Sequence, residues 1–425
     1  MSIGILGAGL SGLSASYHLG DIDNVILERD GTVGGVAGSF KKDGFTFDYG
    51  PHIIYSKSEY VKDLYVRLLG NNLILDGVRN NMICTLGAHI PFPFEANLLW
   101  APPHVREECV LGLLERERQD ASNFSDWISQ TFGAGIAKYY MVPYNQKLWK
   151  YNLEKMSTKW IADRVVVPSV RDVVKGAFSP QEKRFGPNAS FWYPKFGGTG
   201  AISEAFASNV RDLRLNTEVM AIDIRKPAVL VKTNEGDYSF ERVLSSIPLP
   251  DLVEMLSDCP TDVWKASREL VYNSLVCVFI GTNRSNLPNW TAAYIPDKQV
   301  NFHRISFPQN FSPFTVPTGK GAINVEITCE MGSKIDVPRE AAQAIDGLVE
   351  IDILRKNEKL RFIETRVKKY AYTIYSLNRE KNVMKIREFL SQHNISTIGR
   401  FGEWEYYNTD HAVLSGKRAA DAIPK

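Results

Sequence analysis

Three glycines near the start of the chain, and one acid after them, have the spacing of a phosphate-binding turn. Gly7, Gly9 and Gly12 follow an apolar run, and Glu28 closes the next apolar run about 20 residues later. The first glycine allows a sharp turn, the second lets the backbone approach a pyrophosphate, and the third allows close packing of helix on strand. The acid accepts hydrogen bonds from an adenosine ribose. The pattern therefore predicts that a dinucleotide binds at a helix N-terminus.

A second glycine pair and two distant segments favour FAD over NAD as that dinucleotide. Arg29 and the pair Gly34–Gly35 follow Glu28, and this region resembles the turn after the second strand of FAD-dependent amine oxidases. Segments 44–52 and 400–411 are similar to parts of that superfamily that pass beside the flavin, and a simple NAD dehydrogenase needs neither. The cofactor-binding residues that we expect are Gly7, Gly9, Gly12, Glu28, Arg29, Gly34, Gly35, His52, Val219, Arg400, Asp410 and His411.

The elements that must position these residues are interleaved along the chain. Residues 3–28 have the pattern strand–helix–strand, residues 96–180 are mainly helical, and strands return at 213–247 and 270–330. We expect an α/β fold, with an FAD-binding Rossmann-like domain of the GR2 type, a helical insertion and a mixed or antiparallel sheet domain. The FAD-binding domain takes residues 1–78, 186–253 and 378–425, the helical domain takes 96–185, and the sheet domain takes 79–95 and 254–377.

The composition is that of an ordinary globular enzyme. The 425 residues are 44% hydrophobic, and 50 basic against 48 acidic residues give a net charge of +2. No basic block indicates a nucleic-acid partner, and no apolar run is long enough for a membrane span. The five cysteines lack metal-binding spacing, and the fingerprint starts at residue 3, which leaves no room for a signal peptide. We therefore expect a cytoplasmic protein with reduced thiols and no metal, and a homo-oligomer is possible.

Seven segments spread over the chain together resemble the flavin-dependent UDP-galactopyranose mutases, nearer the eukaryotic branch than the usual bacterial one. This family lies within the amine oxidase and protoporphyrinogen oxidase-like superfamily. The order of the segments is more specific than any one of them. They are Ile90–Phe94, Pro143–Trp149, Asp163–Val165, Gly186–Phe191, Phe196–Gly200, Phe302–Pro313 and Gly399–Trp404.

The resemblance implies an isomerase that interconverts the pyranose and furanose forms of a nucleotide-diphosphate sugar. UDP-galactopyranose and UDP-galactofuranose are the first expectation, and they point to cell-surface polysaccharide biosynthesis. In the family, N5 of the reduced flavin is the nucleophile at sugar C1 and expels the nucleoside diphosphate. The flavin must first be reduced, so NADPH or NADH is the implied reductant.

The resemblance also assigns the residues of the site. Arg164 and Arg304 match arginines that clamp the diphosphate, for which the planar guanidinium is suited. His52 matches the histidine that lies against the flavin, and these three are the implied catalytic residues. Arg79 matches an arginine that contacts the nicotinamide donor. The implied substrate-binding residues are Phe94, Glu95, Asn145, Trp149, Tyr294, Tyr372, Tyr406 and Asn408.

The terminal segment of the resemblance predicts a helix start beside the flavin. Arg400, Asn408, Asp410 and His411 match residues that bring backbone N–H groups to a flavin carbonyl. We expect Asp410 and His411 to cap a helix that begins near Ala412 and directs its dipole at the flavin.

Three positions depart from the family pattern. Pro51 replaces a small residue before the flavin histidine, Phe92 replaces a tyrosine, and Glu95 replaces a glutamine beside the uracil. An ionised carboxylate accepts hydrogen bonds but donates none, so Glu95 would suit a base edge that donates, such as guanine. The identities of the nucleotide and the sugar therefore stay open.

Two other functions stay open beside the mutase. One is an FAD-dependent oxidoreductase of the amine oxidase or protoporphyrinogen oxidase type, and the other is a flavoprotein scaffold without catalysis. Paired Arg164 and Arg304 favour the mutase over the oxidase, whose substrates carry no diphosphate. The tyrosines of the site and His52 argue against the scaffold.

Overall fold

The computed structural model describes residues 2–117, 119–183, 185, 190–225 and 227–424. Most of the segment Gly186–Phe191 named above therefore lies outside the described residues. The strands are β1 Ile3–Leu6, β2 Asn24–Leu27, β3 Ser39–Lys42, β4 Phe45–Asp48, β5 Ile74–Val78, β6 Asn81–Thr85, β7 Ala88–Pro91, β8 Ser190–Tyr193, β9 Leu213–Arg214, β10 Val219–Arg225, β11 Ala228–Thr233, β12 Gly236–Phe240, β13 Arg242–Ser245, β14 Tyr272–Thr282, β15 Ala292–Tyr294, β16 Arg304–Ser306, β17 Gly321–Glu330, β18 Leu360–Thr373 and β19 Ile395–Thr397. The helices are α1 Leu10–Leu19, α2 Glu59–Leu69, α3 Pro103–Leu114, α4 Phe124–Ile136, α5 Val142–Trp149, α6 Val170–Phe178, α7 Gly200–Ala207, α8 Leu249–Glu254, α9 Thr261–Arg268, α10 Val337–Glu350, α11 Arg379–Ser391, α12 Gly399–Gly402 and α13 Thr409–Asp421.

A five-stranded parallel sheet carries the glycine turn. Its order is β19-β13-β1-β2-β9, with β1 in the centre. All four residues of β1 are buried, as the apolar sequence of a strand covered on both faces requires. Helix α1 follows β1 and crosses α13 closely, since a Cβ at Gly416 would lie 2.2 Å from the carbonyl oxygen of Ser11. The helix that follows the glycine turn is thus packed against the last helix of the chain.

A seven-stranded mixed sheet stands against the parallel sheet. Its order is β18-β14-β17-β16-β15-β6-β7, and the pairs are antiparallel except for β15 with β6. Strand β14 is buried along almost its whole length between β17 and β18. This sheet supplies the second wall of the site.

A helical unit covers the end of the mixed sheet. Helices α3 to α6 share one apolar core with residues of β6, β7 and β18. Helix α4 begins after Asn123, whose side chain accepts a hydrogen bond from the N–H of Asp126 at 2.9 Å. In the described part of the chain, no helix combines the length and the apolar character that crossing a membrane requires.

The expected fold class is confirmed, because a parallel dinucleotide-type sheet, a helical insertion and a mixed sheet are all present. The domain boundaries stay predictions. The expected helix start near Ala412 is wrong. Helix α13 begins at Thr409 after an extended Asn408, so Asp410 and His411 lie in its first turn instead of before it.

Candidate active site

A cavity of about 450 Å³ lies between the parallel sheet and the mixed sheet. One part of it, here called the nucleotide part, is lined by Gly7, Gly9, Glu28, Gly34 and Val219. The other, here called the arginine part, is lined by Arg79, Arg304, Tyr372, Arg400 and Tyr406. His52 lines the same cavity.

The nucleotide part has the geometry of a dinucleotide turn. Gly7 has φ +99°, a conformation that suits glycine, and a Cβ there would lie 2.4 Å from the Ser246 hydroxyl. A Cβ at Gly9 would meet nothing within 4 Å, so this backbone is open to the cavity. A Cβ at Gly12 would lie 2.0 Å from the Gly7 carbonyl oxygen, and this contact shows the close packing that the sequence predicts. The second turn joins the first, because the N–H of Gly34 donates to the Ala8 carbonyl at 2.8 Å.

The Glu28 carboxylate stands at the end of β2, facing this turn. It accepts hydrogen bonds from the N–H groups of Ala8 at 2.7 Å and Asp30 at 2.9 Å. Burial raises the pKa of Glu28, although these two hydrogen bonds act in the opposite direction. Arg29 lies beside it, with a largely exposed side chain 3.9 Å from Asp30. Gly35, with φ +57°, also lines the cavity.

His52 lies just after a tight turn at Tyr49–Gly50, where the Gly50 N–H donates to the Asp48 carbonyl at 2.9 Å. Its Nδ1 atom is buried and has no hydrogen-bond partner among the described residues. Burial, together with the nearby charges of Arg400 and Arg304, lowers the pKa of His52 to about 4. The ring is therefore neutral near pH 7, with one nitrogen available to a bound group.

The start of α13 also faces the cavity, but only Arg400 and Asn408 of the four residues that the sequence predicts there line it. Asn408, Thr409 and Ala412 line the cavity, whereas Asp410 and His411 do not. The Asp410 carboxylate accepts hydrogen bonds from the His411 N–H at 2.8 Å and pairs with its ring at 2.9 Å. The free N–H groups and the dipole of the first turn, instead of these two side chains, are what the helix presents.

Three expected site arginines, Arg79, Arg164 and Arg400, contact neutral oxygens and no carboxylate among the described residues. Arg79 and Arg400 line the cavity, whereas Arg164 does not line it but packs against Tyr406, which does. Arg164 donates to the backbone carbonyls of Trp160 and Tyr406. Arg400 donates to the carbonyls of Tyr407 and Ala371, both at 2.9 Å. The Tyr406 ring lies between these two arginines, with centroid distances of 5.0 Å to Arg164 and 4.7 Å to Arg400. The Nε atoms of both arginines are buried and unpartnered.

Arg79 is the third of these arginines. It donates to the hydroxyl of Tyr294 at 2.7 Å. A guanidinium only donates, so the Asn81 amide oxygen faces it, at 2.6 Å from Nε and 3.0 Å from Nη2. Tyr294 is buried behind Arg79 and does not itself line the cavity.

Arg304, by contrast, has a buried counter-ion. Its Nε and Nη2 atoms donate to the two carboxylate oxygens of Glu326, at 2.6 and 2.5 Å. The Glu326 side chain is fully buried. The Tyr372 hydroxyl lies 3.5 Å from Arg304 Nη2, which brings the ion pair to the cavity wall. Glu326 is a site residue that our sequence reasoning missed, and an acid within the apolar run of β17 is the signal that could have found it.

Four expected substrate-binding residues lie behind the cavity wall. Trp149 is fully buried, packs against Tyr372 at 5.6 Å between ring centroids, and donates to Asn145 at 3.0 Å. Phe94 is fully buried against another aromatic ring. Glu95 follows it with one carboxylate oxygen unpartnered, and burial raises the pKa of Glu95 to about 7. Their contact with a substrate stays a prediction.

A buried acid that the sequence reasoning missed supports the turn before His52. Asp48 accepts hydrogen bonds from the hydroxyls of Ser39 and Tyr193, both at 2.6 Å. The Thr199 hydroxyl lies 2.8 Å from Asp48 and 3.0 Å from the His52 carbonyl oxygen. This network ties the turn to the loop before α7.

The cavity residues fit FAD. The open glycine backbone suits a pyrophosphate, and the Glu28 carboxylate suits the ribose hydroxyls. The unpartnered His52 nitrogen is available to the flavin. Among the described residues, no group of three or more His, Cys, Asp or Glu side chains could hold a metal ion.

Comparison with known proteins gives the family. The family model described as flavin containing amine oxidoreductase matches residues 10–424, and the chain belongs to this family. Membership in a flavin family, together with the site, supports FAD as the cofactor.

Two solved structures have a similar fold over nearly the whole chain. The crystal structure of reduced UDP-galactopyranose mutase superposes with a TM-score of 0.92 and 26% identity, over 99% of this chain and 93% of that chain. A putative protoporphyrinogen oxidase from Exiguobacterium sp. 255-15 superposes with a TM-score of 0.77 over 99% of this chain and 98% of that chain. At 17% identity, the second likeness shows the fold alone.

The curated relatives match only a short stretch. A 4,4'-diapophytoene desaturase of Staphylococcus aureus (strain COL) is 40% identical over 67 residues, which are 15% of this chain and 13% of the relative. The alignment thus covers about an eighth of the desaturase, too little to carry over its activity.

Proposed function

We propose that this flavin family member is an isomerase that converts the pyranose form of a nucleoside-diphosphate sugar into its furanose form, with UDP-galactopyranose as the first candidate substrate. The observation that carries the proposal is a set of arginines in and directly around the arginine part of the cavity. Arg79, Arg164 and Arg400 rest on carbonyl, amide and hydroxyl oxygens, with no carboxylate paired to them among the described residues. Three such cations suit a ligand that brings its own negative charge, such as a diphosphate.

The whole-chain likeness to reduced UDP-galactopyranose mutase supports the same substrate class. An amine or hydrocarbon substrate would have no use for this charge. A diphosphate in the arginine part would lie near His52, whose pKa the charges of Arg304 and Arg400 lower.

The chain's residues have distinct roles in this reaction. Reduced FAD, when bound, supplies a nucleophilic nitrogen for the attack on sugar C1, with no net redox change. Arg164 and Arg304 hold the diphosphate while its bond to C1 breaks and re-forms, so the leaving group stays in the site. Tyr372 and Tyr406 keep these guanidiniums in place through their rings and hydroxyls. Neutral His52 orients the cofactor through its free nitrogen.

The reaction also needs a source of electrons for the flavin. NADPH or NADH is the proposed reductant, and Arg79 is the arginine placed to meet it. A galactofuranose product, a role in cell-surface polysaccharide biosynthesis, a cytoplasmic location and a homo-oligomeric state belong to the same proposal.

The test is a panel of nucleotide sugars with reduced and oxidised protein. Dithionite-reduced protein should form furanose product from at least one UDP- or GDP-sugar, and oxidised protein should form none. A reduced protein that isomerises no nucleotide sugar, while the oxidised protein consumes oxygen with an amine or a polyene, would overturn the mutase in favour of the oxidoreductase.

A further inference from the structure

One lysine that lines the cavity, Lys368, has no anionic partner among the described residues. Lys368 lies on β18 opposite Leu275 of β14, and both residues line the cavity. Its Nζ atom lies over the Tyr49 ring, 3.9 Å from the centroid. The side chain is half-buried in this position.

No hydrogen bond or ion pair joins the Lys368 ammonium to any described residue. The neighbouring Lys369 differs, because its Nζ pairs with Asp251 at 2.7 Å. Burial lowers the pKa of Lys368, and Asp30 and Cys277 only partly oppose this. A cation that has lost much of its water, with only a ring face against it, gains from an anion in the cavity.

The charges around Lys368 locate it. Lys368 lines the cavity together with Glu28, Arg29 and Asp30, which belong to the end of β2 and the loop after it, and the charges of these three residues act on its pKa. The ammonium therefore reaches into the nucleotide part of the cavity from the mixed sheet, whereas the glycine turn faces it from the parallel sheet. A dinucleotide bound there brings a pyrophosphate with two negative charges.

We propose that Lys368 binds the pyrophosphate of the dinucleotide, opposite the N–H groups of the glycine turn. This inference rests on FAD as the proposed cofactor. The Tyr49 ring covers one side of the ammonium, and the phosphates would contact its other side in the cavity. Arg29 is less suited to this role, because its side chain is largely exposed and lies near Asp30.

The test measures FAD binding to apoprotein instead of activity. Wild type, Lys368→Met, Lys368→Arg and the control Lys359→Met are titrated with FAD by flavin fluorescence, at about 0.05 and 0.5 M salt. Lys359 is exposed just before β18, so its replacement removes the same charge away from the cavity. We expect Lys368→Met to bind FAD roughly ten- to a hundredfold more weakly at low salt, the value for a charge-assisted contact. The loss should shrink at high salt, Lys368→Arg should recover most of the affinity, and Lys359→Met should match wild type.

Two results would overturn the inference. One is wild-type FAD affinity in Lys368→Met. The other is an equal loss at both salt concentrations that Lys368→Arg does not recover, which is the result for packing on Tyr49. Isomerase assays at saturating FAD separate this inference from the proposed function. A protein that binds FAD through Lys368 but isomerises no sugar keeps the inference and loses the mutase.

Discussion

Arg164→Met and Arg304→Met should weaken the binding of a nucleoside diphosphate by similar factors. The two variants should differ, however, in how much stability the folded protein loses. Arg164 rests on the carbonyls of Trp160 and Tyr406, so its loss strands no charge. Arg304 rests on the fully buried Glu326, so its loss leaves a carboxylate without a counter-ion. The two settings separate a role in binding from a role in folding.

The magnitudes follow from these contacts. Each guanidinium should contribute charge-assisted hydrogen bonds of about 1.5–3 kcal/mol to a diphosphate, so each variant should bind UDP roughly ten- to a hundredfold more weakly. Loss of the carbonyl contacts of half-buried Arg164 should cost about 1–2 kcal/mol of stability. Breaking the buried pair of Arg304 and Glu326 should cost about 3–5 kcal/mol.

The assay combines UDP titration, followed by flavin fluorescence at saturating FAD, with thermal melting. The double variant Arg304→Met with Glu326→Gln removes the stranded charge, so it should regain much of the stability without regaining UDP affinity. The reasoning is refuted if Arg164→Met binds UDP like wild type, or if Arg164→Met and Arg304→Met melt at the same temperature.

Three further changes probe the cofactor turn and the two buried titratable groups. Glu28→Ala should bind FAD at least about tenfold more weakly. The substitution removes the ribose contacts and the acceptor of the Ala8 and Asp30 N–H groups, and each of these hydrogen bonds is worth about 0.5–1.5 kcal/mol. Unchanged retention of FAD on gel filtration would contradict this. Burial lowers the pKa of His52 from 6.5 to about 4, so stability present above pH 6.5 should be lost toward pH 4, by roughly 1.4 kcal/mol per pH unit. Melting curves of His52→Asn should lack this part of the acid sensitivity, and curves parallel to wild type would argue against it. Burial raises the pKa of Glu95 from 4.5 to about 7, so the wild type should lose stability relative to Glu95→Gln as pH rises from 4.5 to 8. The same variant should shift the preference between UDP and GDP. A stability difference that does not depend on pH would exclude the ionisation of buried Glu95.

The glycine turn could be predicted from sequence because its chemistry is local. Gly7, Gly9 and Gly12 lie within one strand–turn–helix unit, and each meets the steric demand that its spacing implies. Glu28 follows directly from the next strand. The start of α13 was misplaced by three residues, because the extended backbone of Asn408 decides it and the polar residues after it carry no such signal.

The rest of the site depends on contacts between distant parts of the chain. Arg79, Arg164, Arg304 and Arg400 lie far apart in the sequence. Only the family resemblance predicts that they share one site. Glu326 and Lys368 escaped notice because burial defines their roles, and each strand's neighbours decide that burial. Trp149 and Asn145, which the resemblance assigns to the substrate, lie behind the cavity wall, and their contact with a substrate stays a prediction.

Cleavage of the sugar C1–oxygen bond by the reduced protein, without net oxidation, is the central claim and can be measured directly. UDP-galactopyranose labelled with ¹⁸O in the oxygen that bridges C1 and the β-phosphate is incubated anaerobically with dithionite-reduced protein. If the account is right, the label moves into the non-bridging β-phosphate positions, furanose product forms, and the flavin stays reduced. A label that remains in the bridge with no furanose formed, from a protein that binds both FAD and UDP-galactopyranose, would contradict it.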